Sequence, residues 1–148
     1  MAKENTEIMR KANPDIETVS VIANTDNARW ASFLPETRAD KVALYNAFNN
    51  PDVKIADIIN QPIDVVDVVL AQVNLMDDKT GEVDSAVRTI LIDKTGKTYD
   101  ATSSGIYNSI LTINAVFGSL HYTADEPLTV VVKQIKTKRG STLTLSVV

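Results

Sequence analysis

The sequence predicts a mainly β domain with helices, an α+β chain built around a small five-stranded barrel. Three observations lead there. Residues 62–76, "PIDVVDVVLAQVNLM", form a long run rich in β-branched side chains. The tetrapeptide Asp-Lys-Thr-Gly occurs at 78–81 and again at 93–96, each time between two such runs. One amphipathic stretch, residues 102–118, separates the third strand from the fourth.

Residues 1–17 are polar, with isolated Ile8, Met9 and Ile16, and read as a flexible N-terminal arm. Residues 18–148 are expected to form a single domain. Within them "TVSVIA" (18–23) suits a short strand, and "NARWASFL" (27–34) a loop or helical turn. "PETRADKVALYNAFNN" then predicts a helix. Thr37 stands as its N-cap with Asp40 three residues on, a capping box, and Asn50-Pro51 stops it. Val42, Leu44, Tyr45 and Phe48 are its expected buried side.

The run at 62–76, then "VDSAVRTILI" and "TYDA", are joined by "DDKTGE" and "DKTGK". In each loop glycine occupies the place where a tight turn needs a left-handed residue. Two short hairpins in succession give a three-stranded antiparallel meander. The flanks of the two copies do not match, so shared turn chemistry explains the echo better than duplication.

"TSSGIYNSILTINAVFG" predicts the second helix, capped by Thr102, Ser103 or Ser104. Its stripe is Ile106, Ile110, Ile113 and Phe117, and Gly118 ends it. "LTVVVKQIKTK" and "STLTLSVV", turning at Arg139-Gly140, form a last hairpin. Three strands, a helix and two strands is the order of an OB-fold. The first helix is then an N-terminal helical extension. An SH3-like barrel would lack the intervening helix, and a ferredoxin-like fold would alternate two helices with its strands.

A chain of 148 residues, 44% hydrophobic and 23% charged, suits one ordinary globular domain. It has no cysteine, which excludes disulfides, thiolate metal sites and cysteine nucleophiles. It has no apolar run long enough to span a membrane and no secretory signal at its start, so a cytoplasmic location is expected. The charge is unevenly placed. Of 15 basic and 19 acidic residues, the last 21 residues hold Lys133, Lys136, Lys138 and Arg139 and no acid, so residues 1–127 carry −8.

The segment from "KIADIINQPIDVV" through "DDKTGEV", "VRTILIDKTGKTY" and "GIYNSI", together with the closing "PLTVVVKQIKTKRGSTLTLSV", resembles a family of single-stranded DNA-binding proteins. These are the PrgE-like proteins of phages and conjugative plasmids of Gram-positive bacteria. The likeness covers residues 35–148. It implies an OB-type fold and a non-enzymatic role in binding single-stranded DNA during phage or plasmid replication or transfer. It supplies no catalytic residues.

The candidate binding residues come from the chain itself. In an OB-fold the loop between strands four and five borders the nucleic-acid groove. Here that loop is "KTKRG", so Lys133, Lys136, Lys138 and Arg139 are expected to neutralise phosphates. The bland reading is that lysines guard an exposed edge strand against aggregation. Barrel topology and the family likeness favour binding. Base stacking needs aromatic faces, and Trp30, Phe33, Tyr99, Tyr107 and Tyr122 are the candidates. Tyr99, on a barrel strand, is the best placed, while Phe48 and Phe117 are expected in the core.

One feature resists a simple groove. Residues 57–84 hold Asp57, Asp64, Asp67, Asp77, Asp78, Glu82 and Asp84 against Lys79 alone. The acidic side is expected to face the basic hairpin or the N-terminal arm of a neighbouring subunit, giving a homo-oligomer that coats DNA cooperatively. Duplex DNA and RNA remain admissible partners; a membrane is not expected.

Other signals are weak. "DDKTGEVD" lacks the ligand alternation of a calcium loop, and "DKTGK" lacks the spacing of a phosphate loop. His121, the only histidine, has no second soft ligand. No cofactor, metal site or catalytic residue is expected, and Ser103 and Ser104 read as caps. Two rivals are kept: an OB-type interaction or phage structural module that does not bind DNA, and a metal-dependent nuclease using the aspartates, whose DNA cleavage a chelator would stop.

Overall fold

The computed structural model describes residues 28–148. The arm expected at 1–17 and the strand expected at 18–23 lie outside the described residues. The elements are β1 (Arg29–Ala31), α1 (Arg38–Asn49), β2 (Val53–Lys54), a single 3-10 turn (Ile55–Asp57), β3 (Pro62–Met76), β4 (Val83–Asp93), β5 (Thr98–Ala101), α2 (Ser104–Phe117), β6 (Leu128–Thr137) and β7 (Gly140–Val147). Strands β3 to β5, then α2, then β6 and β7 keep the expected OB order. The run at 62–76 is one strand from end to end.

All strands join one sheet in the order β2-β5-β4-β3-β6-β7, with β1 also paired to β3. β3 is its axis. Residues 65–76 pair with β4. On the opposite edge β6 takes residues 62–65 and β1 takes 69–71. A register shift between Val65 and Asp67 bends β3 between its two partners on that edge. The sheet thus curls into a half-barrel around Val68, Leu70, Leu91, Ile106, Ile110, Val130 and Val132.

The ladder does not run from β5 to β7. β5 is four residues long, and β2 occupies its outer edge in parallel, Val53 opposite Tyr99. α2 seals the free side of β7 instead. The Ser109 hydroxyl accepts the Leu145 N–H at 3.1 Å and lies 2.9 Å from the Thr144 hydroxyl. Gly105 makes that contact close enough, for a Cβ there would fall 2.0 Å from the Leu143 carbonyl oxygen. Ser103 holds the N-cap position, but its hydroxyl faces Thr142 at 3.5 Å rather than capping the helix.

α1 begins as expected. Thr37 accepts the Asp40 N–H, and the Asp40 carboxylate accepts the Thr37 N–H. Its buried side differs. Leu44, Ala47 and Phe48 pack on Val69, Ile90 and Ile92, whereas Val42 and Tyr45 are exposed. The helix lies across the outer face of β3 and β4, and that face is only wide enough for one stripe. The segment expected as loop or helical turn is strand β1, held by the edge of β3 that β6 leaves vacant. Phe117, expected in the core, is exposed, because α2 outruns the sheet after Ile113 and Asn114.

The repeated tetrapeptide serves two loops of different length. Asp93 closes its own copy, its carbonyl accepting from Gly96 and its carboxylate from Thr95 and Lys97. In the first copy Asp77, one residue upstream, does this work, taking Gly81 on its carbonyl and Lys79 on its carboxylate. Gly81 and Gly96 both have positive φ, 73° and 89°.

Candidate nucleic-acid interface

β6 and β7 form a hairpin closed by Lys138 and Arg139, with Thr137 opposite Gly140. Gly140 takes φ of 130°, so the two cationic residues keep ordinary backbone at the apex. Lys133, Lys136, Lys138 and Arg139 are all exposed, and among the described residues none pairs with a carboxylate. Strand alternation places Lys136 with Gln134 on one side of β6 and Lys133 with Ile135 on the other. Lys138 and Arg139 lie in the turn between the two strands.

The seam between β5 and β7 adjoins this hairpin. It opens into a cleft of about 430 Å³ lined by Lys54, Asp100, Ala101, Thr102, Ser103 and Leu143. Lys54 is exposed at its rim. Asp100 is the acid in that lining, and Arg88 neutralises it, with Nε and Nη2 each 3.0 Å from Oδ2. Lys54 is the cation in that lining, and the acid beside it is already paired. The acidic loop is elsewhere. Val83 lies seven residues along β4 from Ile90, which pairs with Asp100, or about 23 Å at strand rise.

The aromatic candidates divide. Trp30 is 3% exposed and packs into the main core, so it has no ring face left for a base. That corrects its place among stacking candidates, and the cause is β1, which turns the indole inward beside Leu70. Tyr99 is half-buried against the same core, and its hydroxyl donates to Asp93 at 2.7 Å. Burial, then that carboxylate, push the Tyr99 hydroxyl up to about 12. Its ring edge is fixed and its hydroxyl is occupied. Tyr107 and Tyr122 are half-buried, and burial raises both phenols.

Phe33 is different. With Leu34, Pro35, Leu44 and Phe48 it lines an apolar slot of about 220 Å³ between β1 and α1. The Arg29 guanidinium stands 5.7 Å over the Phe48 ring at that slot. Lys41, Tyr45 and Arg38 continue along the adjoining flank of α1, and Tyr45 is 64% exposed. Sequence reasoning missed Tyr45 because it assigned that residue to the core. Helical spacing held the signal, since Arg38, Lys41 and Tyr45 share a flank that no buried residue occupies.

Asp93 is the anchor of the second tight turn. Burial pushes its carboxyl up, but hydrogen bonds from Thr95, Tyr99 and Lys97 outweigh that and hold it below the ordinary value. A serine, a histidine and an aspartate do meet elsewhere: the Ser32 hydroxyl and His121 Nδ1 lie 2.8 and 2.6 Å from one oxygen of Asp67. The arrangement is a latch. Ser32 and His121 each contact Asp67, not one another, and the Ser32 oxygen already accepts the Val68 N–H. Among the described residues no three carboxylate or imidazole groups gather at one point, and no helix is long and apolar enough to cross a membrane.

The class of protein is thus an OB-ordered half-barrel whose last hairpin gathers exposed cations that, among the described residues, pair with no carboxylate. The comparison is more specific. Residues 23–148 match the family described as phage single-stranded DNA-binding protein, of the phi29 type, and the chain belongs to that family. Single-stranded DNA is the partner such proteins bind. No curated protein and no solved structure matches the chain.

Proposed function

We propose that this protein binds single-stranded DNA without sequence preference and without catalysis, coating the strand in the cytoplasm during phage or plasmid replication or transfer. The observation that carries the reading is the β6–β7 hairpin. It presents Lys136, Lys138 and Arg139, unpaired among the described residues, beside a cleft whose carboxylate is already neutralised. The phosphate chain follows the cleft from Lys54 to the hairpin apex. Exposed Tyr45 and half-buried Phe33 are the stacking surfaces on the α1 side, while Tyr99 and Tyr107 support the cleft from within. Cooperative coating would follow from contacts between copies.

Fluorescence anisotropy of labelled oligo-dT across a salt series tests this. On a single strand, each phosphate that is no longer neutralised lowers the slope of log K against log salt by about 0.7. Replacing Lys136, Lys138 and Arg139 together by alanine is therefore expected to lower it by about 2 and to weaken binding most at low salt. An unchanged slope, or no binding by the wild-type chain at low salt, would make the hairpin an edge guard and the protein an interaction module.

A further inference from the structure

Register places two hairpins at opposite ends of β3, each extending past its other neighbours among the described residues. β6 leaves β3 after Val131 meets Pro62, Val132 still bonds the backbone of Asn60 and Gln61, and residues 133–137 continue against β7, an overhang of about 17 Å. At the far end, among the described residues, 73–76 pair with β4 alone. About 45 Å of curved strand lies between those ends.

Each end exposes apolar side chains. On the β3–β4 hairpin these are Leu75, Met76 and Val83, with Met76 67% exposed. At the other end Val116, Phe117, Ile135 and Val147 are exposed, Val116 to 73%. Those four line an open groove of about 450 Å³ between α2 and β7. Charge follows the same division. Asp77, Asp78, Glu82 and Asp84 flank the first tip against Lys79 alone, while Lys133 stands beside Ile135 on the groove's side of β6.

We propose that the β3–β4 hairpin of one copy seats in the α2–β7 groove of a second copy of this chain. Leu75, Met76 and Val83 cover Phe117, Ile135 and Val116, and the hairpin carboxylates meet Lys133. Apolar cover supplies the affinity, and the charges set orientation. The two surfaces differ and lie at opposite ends, so the contact is heterologous and adds copies head to tail rather than closing a pair. Lys136 points away from Lys133, so assembly and phosphate binding use different side chains.

The test uses the full chain without DNA, so its failure is separate from failure of the DNA reading. Met76→Asp spoils the hairpin and leaves the groove; Ile135→Asp does the reverse. Both positions are exposed enough to tolerate the change, and circular dichroism checks the fold. In sedimentation velocity the wild type is expected to grow in mass with concentration. Each variant alone stays a single chain, and an equal mixture yields a species of two chains and nothing larger. Mixing M76C with I135C is expected to give one intermolecular disulfide, in a chain that has no other cysteine. A monomeric wild type, a variant that assembles normally, an inert mixture or a missing disulfide would each overturn the proposal. So would loss of assembly on deleting residues 1–17, which would give the groove to the arm.

Discussion

Gly105→Ala sets helix propensity against packing. Alanine is favoured over glycine inside a helix by up to about 1 kcal/mol, so propensity alone expects a more stable protein. The structure expects the opposite. A Cβ at this position would lie 2.0 Å from the Leu143 carbonyl oxygen and 2.7 Å from the Thr142 hydroxyl. Ordinary contact begins near 3.4 Å, so α2 or β7 must retreat by about 1.4 Å. The obstructing oxygen is backbone, in a ladder where Leu143 faces Gln134, and it cannot swing aside as a side chain would. Overpacking of this kind costs about 1–3 kcal/mol. Retreat also strains the Ser109 hydrogen bonds to Leu145 and Thr144, each worth about 1 kcal/mol net. After the helical gain is subtracted, G105A is expected to be destabilised by about 2–4 kcal/mol. Urea unfolding followed through Trp30 measures it, since the single tryptophan is buried and reports loss of the core. Thr112→Ala, on the exposed side of the same helix, should stay within about 0.5 kcal/mol of wild type. A G105A protein as stable as wild type, or more so, would refute the claim that α2 rests on the β7 backbone.

Asp93→Asn is expected to cost about 1–2 kcal/mol at neutral pH, because the carboxylate loses charge at a site receiving four hydrogen bonds. The Asp93 pKa is depressed on folding, so its stabilisation is present above the ordinary value of 3.8 and fades as pH falls through the folded value. Unfolding curves of D93N and wild type should therefore converge in acid; a gap that stays constant down to the lowest pH would contradict this. Trp30→Ala should lower stability by about 3–5 kcal/mol in thermal unfolding, as large core deletions do. Tyr45→Ala should leave stability nearly unchanged but weaken oligo-dT binding by about 1–3 kcal/mol in the anisotropy titration, the worth of one stacked base. If Trp30→Ala impairs binding alone while Tyr45→Ala impairs folding, the assignment of core and surface is reversed.

Much of the fold was legible because its signals are local. Pro62 to Met76 read as one strand from β-branched composition, and both tight loops from an aspartate and a glycine whose φ is positive. Thr37 and Asp40 marked the start of α1, and Gly118 the end of α2. The site was only half legible. The charge of the last hairpin could be counted along the chain. Tyr45, expected in the core, is exposed, and Trp30, kept as a stacking candidate, is buried, because burial depends on which surface arrives to cover a residue. β1 carries Trp30 inward along a free edge of β3, and α1 presents a single narrow stripe to the sheet.

The sequence by itself determined the succession of β3 to β5, α2, β6 and β7, the tight turns, the Thr37 cap and the segregation of positive charge into the last 21 residues, since each depends on neighbours a few positions away. Tertiary structure alone decided the rest. It left the β5–β7 seam open because β2 claimed the edge of a four-residue strand, and it paired Asp100 in the cleft wall with Arg88. It also set the acidic and basic hairpins at opposite ends of β3, because β4 and β6 pair with different stretches of that one long strand. Those are relations between residues up to about seventy positions apart in the chain, and only the ladder register brings them into one geometry.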